Sequence, residues 1–159
     1  MCPMHHLLAH ANVGRTRGPL TSPVMEGFVA GVAALNRLAE ASPGFVARLR
    51  DDADAQAVFG DPRPIATVSL WESAAALRAY AYEGAHADFV RRRREWFTPL
   101  DGPHVALWWT AAGALPTLAD ARDRLAHLAA HGPTDTAFTF ASLRPAPIGA
   151  PAAPPALPA

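Results

Sequence analysis

Apolar and polar residues alternate along four short segments of the chain, which is the pattern of half-buried β-strands. In the first segment, His6–Val13, Leu7 and Ala9 belong to one face while His10 and Asn12 belong to the other. The same period of two predicts further strands at Phe45–Arg50, Ile65–Trp71 and Val105–Thr110.

Between these strands, apolar residues recur at helical spacing. The first helix should begin near Ser22, a good N-cap followed by Pro23, and end at Ser42-Pro43-Gly44. Later helices are predicted at Ser73–Tyr82, at Ala85–Leu100, and from Thr117, which forms a pattern close to a capping box with Asp120, to Gly132. The segments Gly14–Ser22 and Asp51–Pro64 are predicted to be loops.

The predicted order β-α-β-β-α-α-β-α contains a split βαβ unit with one extra helix. It indicates an α+β, ferredoxin-like domain over residues 1–143, with a four-stranded antiparallel sheet and helices on one face. Residues 144–159 are almost only Pro, Ala and Gly, a composition that predicts a disordered tail.

Composition argues against several classes of partner. Basic and acidic residues balance at 14 each, so we expect neither nucleic-acid nor membrane-surface binding. Cys2 is the sole cysteine, which excludes an internal disulfide, and the N-terminus does not resemble a signal peptide. We therefore expect a cytoplasmic protein.

The apolar strand faces should pack against the helices. The opposite face would then carry an unusual mixture of polar and aromatic side chains: His10, Asn12, Arg48, Thr67, Ser69, Trp71 and Trp108. Two such sheets packed face to face would enclose these side chains in a small-molecule pocket, which favours a homodimer. Alternatively, the polar face is simply exposed to water. A slip of one residue in strand register would turn the whole set towards the helices.

Several segments of the chain, in order, resemble the bacterial family called domain of unknown function 3291. They are Met25–Val29, Ala41–Val46, Val68–Ser73, His86 with Arg91–Phe97, His104–Trp109, and His131–Thr134 with Phe138–Phe140. The resemblance covers roughly residues 6–140. That family is similar to the dimeric α/β-barrel superfamily, which contains antibiotic-biosynthesis monooxygenases, muconolactone isomerases and haem enzymes. The resemblance therefore implies pairing as a dimeric α/β barrel and small-molecule chemistry.

One departure from the family pattern draws attention to the first strand. His10 stands where the family pattern has Gln, so a ring that can act as a base or metal ligand replaces an amide. We therefore take His10, Asn12 and Arg48 as candidate catalytic residues, with His10 moving a proton and Asn12 or Arg48 stabilising oxyanion charge. The alternative is that His10 and Asn12 form a hydrogen-bonded interior pair.

The candidate substrate-binding residues are Ser69, Trp71, His86, Arg94, Trp96 and Trp108. His86, Val90, Phe97 and either Arg93 or Arg94 form one helical stripe, in which the arginine could bind a carboxylate. The alternative is a solvated arginine face that Trp96 and Phe97 anchor to the core.

Three functions fit these features. The first is an enzyme of specialised metabolism, an oxygenase, isomerase or cyclase acting on an aromatic or polyketide-like substrate. The second is a haem protein with His10 or His86 as axial ligand; otherwise no cofactor is expected. The third is a non-catalytic module that binds a hydrophobic ligand. Met1–His6 contains soft metal ligands, but their spacing matches no metal motif, and a frayed terminus is the alternative.

Overall fold

A computed structural model of the chain describes residues 5–50, 55–113 and 115–147. The predicted N-terminal ligand cluster lies outside these ranges except for His5 and His6, and the predicted tail lies outside them beyond residue 147. Within the described ranges, no helix is long and apolar enough to cross a membrane.

Five strands and six α-helices build the described part of the chain. The strands are β1 (His6–Thr16), β2 (Phe45–Arg48), β3 (Pro64–Trp71), β4 (Phe97–Thr98) and β5 (Val105–Ala111). The helices are α1 (Glu26–Ala41), α2 (Ala55–Phe59), α3 (Ala74–Tyr82), α4 (Ala85–Arg91), α5 (Arg93–Trp96) and α6 (Leu118–His131). Short 3₁₀ turns at Pro23–Met25 and Phe140–Ser142 precede α1 and follow α6.

The strands form one antiparallel sheet in which β1 lies at the centre. One edge of β1 pairs with β3, which in turn pairs with β2, while β5 and the short β4 also pair with β1. The four long strands therefore follow the spatial order β2-β3-β1-β5. This confirms the predicted α+β, ferredoxin-like split βαβ fold.

The helices of the split βαβ unit, α1 and α3–α5, cover one face of the sheet. Contrary to expectation, that face is the polar one, because Leu8, Trp71 and Leu107 pack against Ala39 of α1 and Leu77 of α3. The apolar set on the other face contacts α2 and α6; it comprises Ala9, Ala11, Ala66, Val68, Leu70, Ala106 and Trp108. The polar positions therefore lie between sheet and helices of the same chain.

Two differences in element bounds have clear physical causes. β1 continues through Gly14 to Thr16 because Gly14 admits the Phe97 ring, whose Cδ1 atom would lie 2.8 Å from an added Cβ. The predicted helix to Leu100 stops at Trp96, because Phe97 and Thr98 pair instead with the end of β1. The first predicted loop is thus shorter than expected, and the second contains α2.

The predicted capping box of the last helix is present. The Thr117 hydroxyl accepts a hydrogen bond from the Asp120 backbone N–H at 3.1 Å, and the Asp120 carboxylate accepts one from the Thr117 backbone N–H at 2.8 Å. The helix ends at Gly132, whose φ of 71° suits glycine.

Candidate active site

A cavity of about 380 Å³ lies between the polar sheet face and helices α1 and α4. Its polar and aromatic lining comprises His10, Asn12, Phe28, Asn36, Phe45, Arg48, Arg50, Thr67, Ser69, Trp71, Tyr80, His86, Phe89, Arg93 and Phe97. The volume is within the roughly 300–1,000 Å³ of small-molecule sites. Helices α1 and α4 of the same chain face the polar side of the sheet, where the sequence predicted a second sheet.

Strand register aligns the candidate catalytic residues in rows across the sheet. Arg48 of β2 lies opposite Ser69 of β3, and Ser69 lies opposite His10 of β1. In the next row Asn12 lies opposite Thr67. Directly opposed residues have Cβ atoms about 5 Å apart, so a ligand resting on this face can contact His10, Ser69 and Asn12 together.

Aromatic side chains lie next to Ser69. The Trp71 indole N–H donates to the Ser69 hydroxyl at 2.9 Å, which fixes both side chains. Tyr80 of α3 stacks on Trp71 with ring centroids 5.3 Å apart, and its hydroxyl donates to the Leu35 carbonyl. Burial raises the pKa of Tyr80 to about 12, so its phenol stays neutral. Since Ser69 accepts from Trp71, the Ser69 proton is available to a ligand.

His10 is neutral at physiological pH. Burial, and secondly the charge of His86, lower the pKa of His10 to about 4. The ring of Phe140 lies 6.3 Å from the His10 ring and contributes to this apolar surrounding. Neither cause is a hydrogen bond, and among the described residues the alternative interpretation, a hydrogen-bonded pair of His10 and Asn12, is not observed. His10 is only partly buried and lines the cavity, so a bound ligand can contact its side chain.

His86 supplies a second imidazole to the same cavity. Its Nδ1 atom lies 2.9 Å from the Ala81 carbonyl, and because a carbonyl only accepts, Nδ1 carries the hydrogen. The Nε2 atom of the neutral ring is then left with the lone pair. Burial lowers the pKa of His86, although the bond to Ala81 opposes this shift. The ring also contacts Tyr80, with centroids 4.6 Å apart.

Arg48 is present in the cavity wall, but a carboxylate shares its charge. The Arg48 Nε atom donates to one oxygen of Glu40 at 2.9 Å, and Arg50 donates to the other oxygen at the same distance. These two hydrogen bonds, that from Arg48 first, lower the pKa of Glu40. Two guanidinium groups thus share one carboxylate at the β2 side of the cavity.

The helical stripe that begins at His86 reaches the cavity through Arg93, not Arg94. Arg93 is half-buried and lines the cavity, and its NH1 atom lies 2.6 Å from the His104 Nε2 atom. Arg94 is exposed, and its backbone carbonyl accepts a hydrogen bond from Arg17. The prediction that Arg94 lines the site is wrong, because α4 ends before Arg93 and the α5 turn directs Arg94 outwards.

Two tryptophans predicted for the site lie elsewhere. Trp96 is buried in a separate cluster with Met25 and Phe28, where it anchors α5 to α1. Trp108 pairs with Ala9, whereas Leu107 pairs with His10, so Trp108 belongs to the opposite face. There it packs under α6, with Arg124 above its ring. The predicted placement of Trp108 beside His10 is therefore wrong by one residue of register.

The sequence prediction missed other residues of the cavity wall. Tyr80 and Phe89 were not singled out, although Phe89 lies three residues after His86 on the predicted stripe. That helical spacing could have identified Phe89. Tyr80 carried no local signal, because α3 brings it to the cavity only by packing on Trp71.

The described residues contain no group of three or more His, Cys, Asp or Glu side chains placed to hold a metal ion. A single axial ligand could come from the His86 Nε2 atom, since the bond from Nδ1 to Ala81 resembles the support that metal-binding histidines receive. However, the cavity is near the lower end of ligand-site volumes and would have to open for a porphyrin. The described residues therefore do not fit haem, and we derive no step through it.

Comparison with solved structures gives distant matches. SnoaB of Streptomyces nogalater, described as a cofactor-independent oxygenase, is 18% identical over 70% of this chain and 98% of its own, with a TM-score of 0.47. PA3566 of Pseudomonas aeruginosa is 16% identical over 70% and 98% of the two chains, with a TM-score of 0.46. SO0527 of Shewanella oneidensis is 13% identical over 69% and 95%, with a TM-score of 0.48.

Likeness at this level carries no argument about chemistry, since one fold hosts many activities. No curated protein matches the chain. The sequence resemblance noted above is confirmed, because residues 7–153 match the family described as a domain of unknown function (DUF3291), and the chain belongs to that family.

Proposed function

We propose that this protein is a small-molecule enzyme that removes a proton from an aromatic substrate bound in the cavity between the sheet and α1. The observation that carries the proposal is a neutral imidazole, His10, with a pKa of about 4 inside an aromatic-lined cavity. A general base must be unprotonated and within reach of its substrate, and His10 meets both requirements. Because a base with so low a pKa is weak, the step also depends on the neighbouring hydrogen-bond donors that stabilise the resulting anion.

The walls suit a flat, mostly apolar substrate. Tyr80, which stacks on the buried Trp71, lies at one end, and Phe89 contributes a further ring from α4. Aromatic rings pack favourably in offset or edge-to-face arrangements. A bicyclic or tricyclic aromatic compound can therefore lie on the polar sheet face with its edge towards His10.

Hydrogen-bond donors next to His10 can stabilise the charge that proton removal creates. The Ser69 hydroxyl is held by Trp71 and retains its own proton for donation, and the Asn12 amide lies in the next row. Donors already oriented towards a developing oxyanion are a principal source of rate enhancement. Arg48 adds positive charge in the same row, reduced by its pairing with Glu40.

Oxygenase, isomerase and cyclase reactions on aromatic or polyketide-like compounds can all begin with this step. Removal of a proton from carbon or from a phenol gives an electron-rich anion, which then reacts with dioxygen, is reprotonated elsewhere, or attacks a carbonyl. Dioxygen consumption separates the first outcome from the other two. The place of the enzyme would be specialised metabolism.

The test is hydrogen–deuterium exchange on a panel of bicyclic and tricyclic aromatic ketones in D₂O, followed by NMR. We expect the wild-type protein to accelerate exchange next to the carbonyl of at least one compound. The His10→Gln variant keeps a polar side chain of similar size but has no base, so it should lose about a hundredfold or more of the acceleration. Parallel oxygen-electrode measurements identify an oxygenase.

His131→Gln is the matched control, because His131 is an exposed histidine on α6. It should exchange substrate like the wild type. A folded His10→Gln protein that accelerates exchange as well as the wild type would exclude His10 as the base. If His10→Gln binds these ketones normally and no compound is turned over by any variant, the protein is a non-catalytic binding module.

Haem binding is a separate outcome with its own measurement. The purified protein and the protein mixed with haemin are examined for a Soret band. Its appearance, and its loss in His86→Gln, would favour the haem alternative, because His86 has the better-oriented lone pair.

A further inference from the structure

The charges on the cavity wall are unbalanced. Three arginines line it, Arg48, Arg50 and Arg93, and no described lining residue is acidic. Glu40 lies beside the wall and forms ion pairs with both Arg48 and Arg50. A half-buried cavity with this excess of positive charge favours a negatively charged ligand.

Arg93 is the arginine best placed to meet such a ligand. Arg91 and Arg92, its neighbours in the arginine run, are exposed and form ion pairs with Asp88 and Glu95. Arg93 turns inwards, and within the described ranges no carboxylate pairs with it. Its side chain therefore enters the cavity with its charge uncompensated by those residues.

His104 orients the Arg93 guanidinium. A guanidinium only donates, so the His104 Nε2 atom at 2.6 Å accepts the hydrogen bond and the His104 ring is neutral. Burial, followed by the charge of Arg93, lowers the pKa of His104, which is consistent with this neutral form. One terminal nitrogen is thereby fixed, and the others can form the paired hydrogen bonds that a carboxylate accepts.

The backbone of His104 shows where the residue that orients Arg93 lies along β1. The His104 carbonyl accepts a hydrogen bond from the Val13 N–H at 2.8 Å, so the His104 backbone lies beside Val13 of β1. His10 is three residues away on the same strand, and three extended residues span about 10 Å. Arg93 and His10 line the same cavity, an arrangement that suits an elongated aromatic molecule with an acidic group at one end.

We propose that the cavity selects an aromatic carboxylate, whose carboxylate group pairs with Arg93 while the ring system extends towards His10 and Trp71. The inference rests on the proposed function for the reacting end of the molecule. The anchoring end does not require any reaction to occur, so binding alone can test it.

The experiment compares 2-naphthoate with 2-naphthamide, two probes of nearly equal shape that differ in charge, by isothermal titration calorimetry on the full-length protein. We expect the wild type to bind the naphthoate at least tenfold more tightly, since hydrogen bonds to a charged carboxylate are stronger than those to a neutral amide. Arg93→Gln should lose this preference, and Arg93→Lys should retain part of it. Arg94→Gln, the matched control on the exposed neighbour, should behave like the wild type.

A wild-type protein that does not prefer the naphthoate, including one that binds neither probe, overturns the proposal even if Arg93→Gln fails to fold. A folded Arg93→Gln that keeps the full preference overturns it as well. His10→Gln should keep the preference for naphthoate over naphthamide. A His10→Gln protein that keeps this preference and also exchanges protons like the wild type would reject the proposed base and leave the anchor standing.

Discussion

The His10 ring is neutral in the folded protein, but in an unfolded chain it gains a proton as the pH falls below its ordinary pKa of 6.5. In the folded state the proton binds only near pH 4. Between these values the unfolded state binds more protons, so the free energy of unfolding decreases as the pH falls. The same shift that keeps His10 available as a base therefore makes the fold sensitive to acid.

At the residue scale we predict that His10→Gln reduces this sensitivity. From about pH 7 to about pH 4.5, His10 should account for roughly 2–3 kcal/mol of lost stability, measured by urea unfolding at the two pH values. His86 and His104, whose pKa values are also lowered by burial, add to the loss in both proteins. His131→Gln should keep the wild-type dependence. Equal losses in His10→Gln and the wild type would mean that the folded pKa of His10 is not depressed.

Sequence reasoning at this scale succeeded where alternation was unambiguous. The strand patterns of β1 and β3 place His10, Asn12 and Ser69 on one face, and strand pairing brings them together. The adjacent tryptophans Trp108 and Trp109 give no such guidance, because one must point to each face and both are apolar. Only the pairing of His10 with Leu107 decides between them.

At the scale of elements, the turn between α1 and β2 depends on a glycine. Gly44 has a φ of 82°, and a Cβ atom there would collide with the Ala76 methyl group of α3. Gly60 also has a positive φ, of 65°, but nothing lies within 4 Å of an added Cβ. Both glycines thus have a positive φ, but only Gly44 also lies close to another residue, Ala76.

We predict that Gly44→Ala destabilises the protein more than Gly60→Ala does. Both variants place alanine in the left-handed region, which costs about 1 kcal/mol, and only Gly44→Ala must also separate α3 from the turn. Chemical unfolding measures the difference, which we expect to exceed about 1 kcal/mol because overpacking costs roughly 1–3 kcal/mol. Similar losses in the two variants would show that α3 moves aside freely.

The sequence predicted the type and order of most elements, and it failed where an element depends on a distant partner. Helical spacing continues past Trp96, yet Phe97 and Thr98 join the sheet because β1 offers them hydrogen bonds. The short α2 follows an acidic segment with turn residues, and its Ala55 is buried with the core under α6. Neither the pairing of Phe97 and Thr98 with β1 nor the packing of Ala55 under α6 can be inferred from the neighbouring sequence.

At the scale of the whole molecule, helices of one chain cover both faces of the sheet. Because α1 and α3–α5 lie over the polar face and α6 lies over the apolar face, the fold class could be predicted from element order, but the closure of the cavity could not. The alternation of apolar and polar residues shows which residues share a sheet face, but it does not show which helices pack against each face. The sequence therefore predicted that a second subunit covers the polar sheet face, which α1 covers in the structure.

Homodimer formation stays a prediction from the family resemblance, and the single-chain cavity gives it a specific consequence. We expect one binding site per chain, with the same affinity for 2-naphthoate in monomer and dimer, because the described walls come from a single chain. Sedimentation velocity would define the concentrations over which any dimer dissociates, and titrations would then be made above and below that range. Affinity that weakens on dilution in step with dissociation would mean that the partner subunit completes the cavity. A constant affinity would assign binding to the monomer and would leave dimer formation with a role in stability alone.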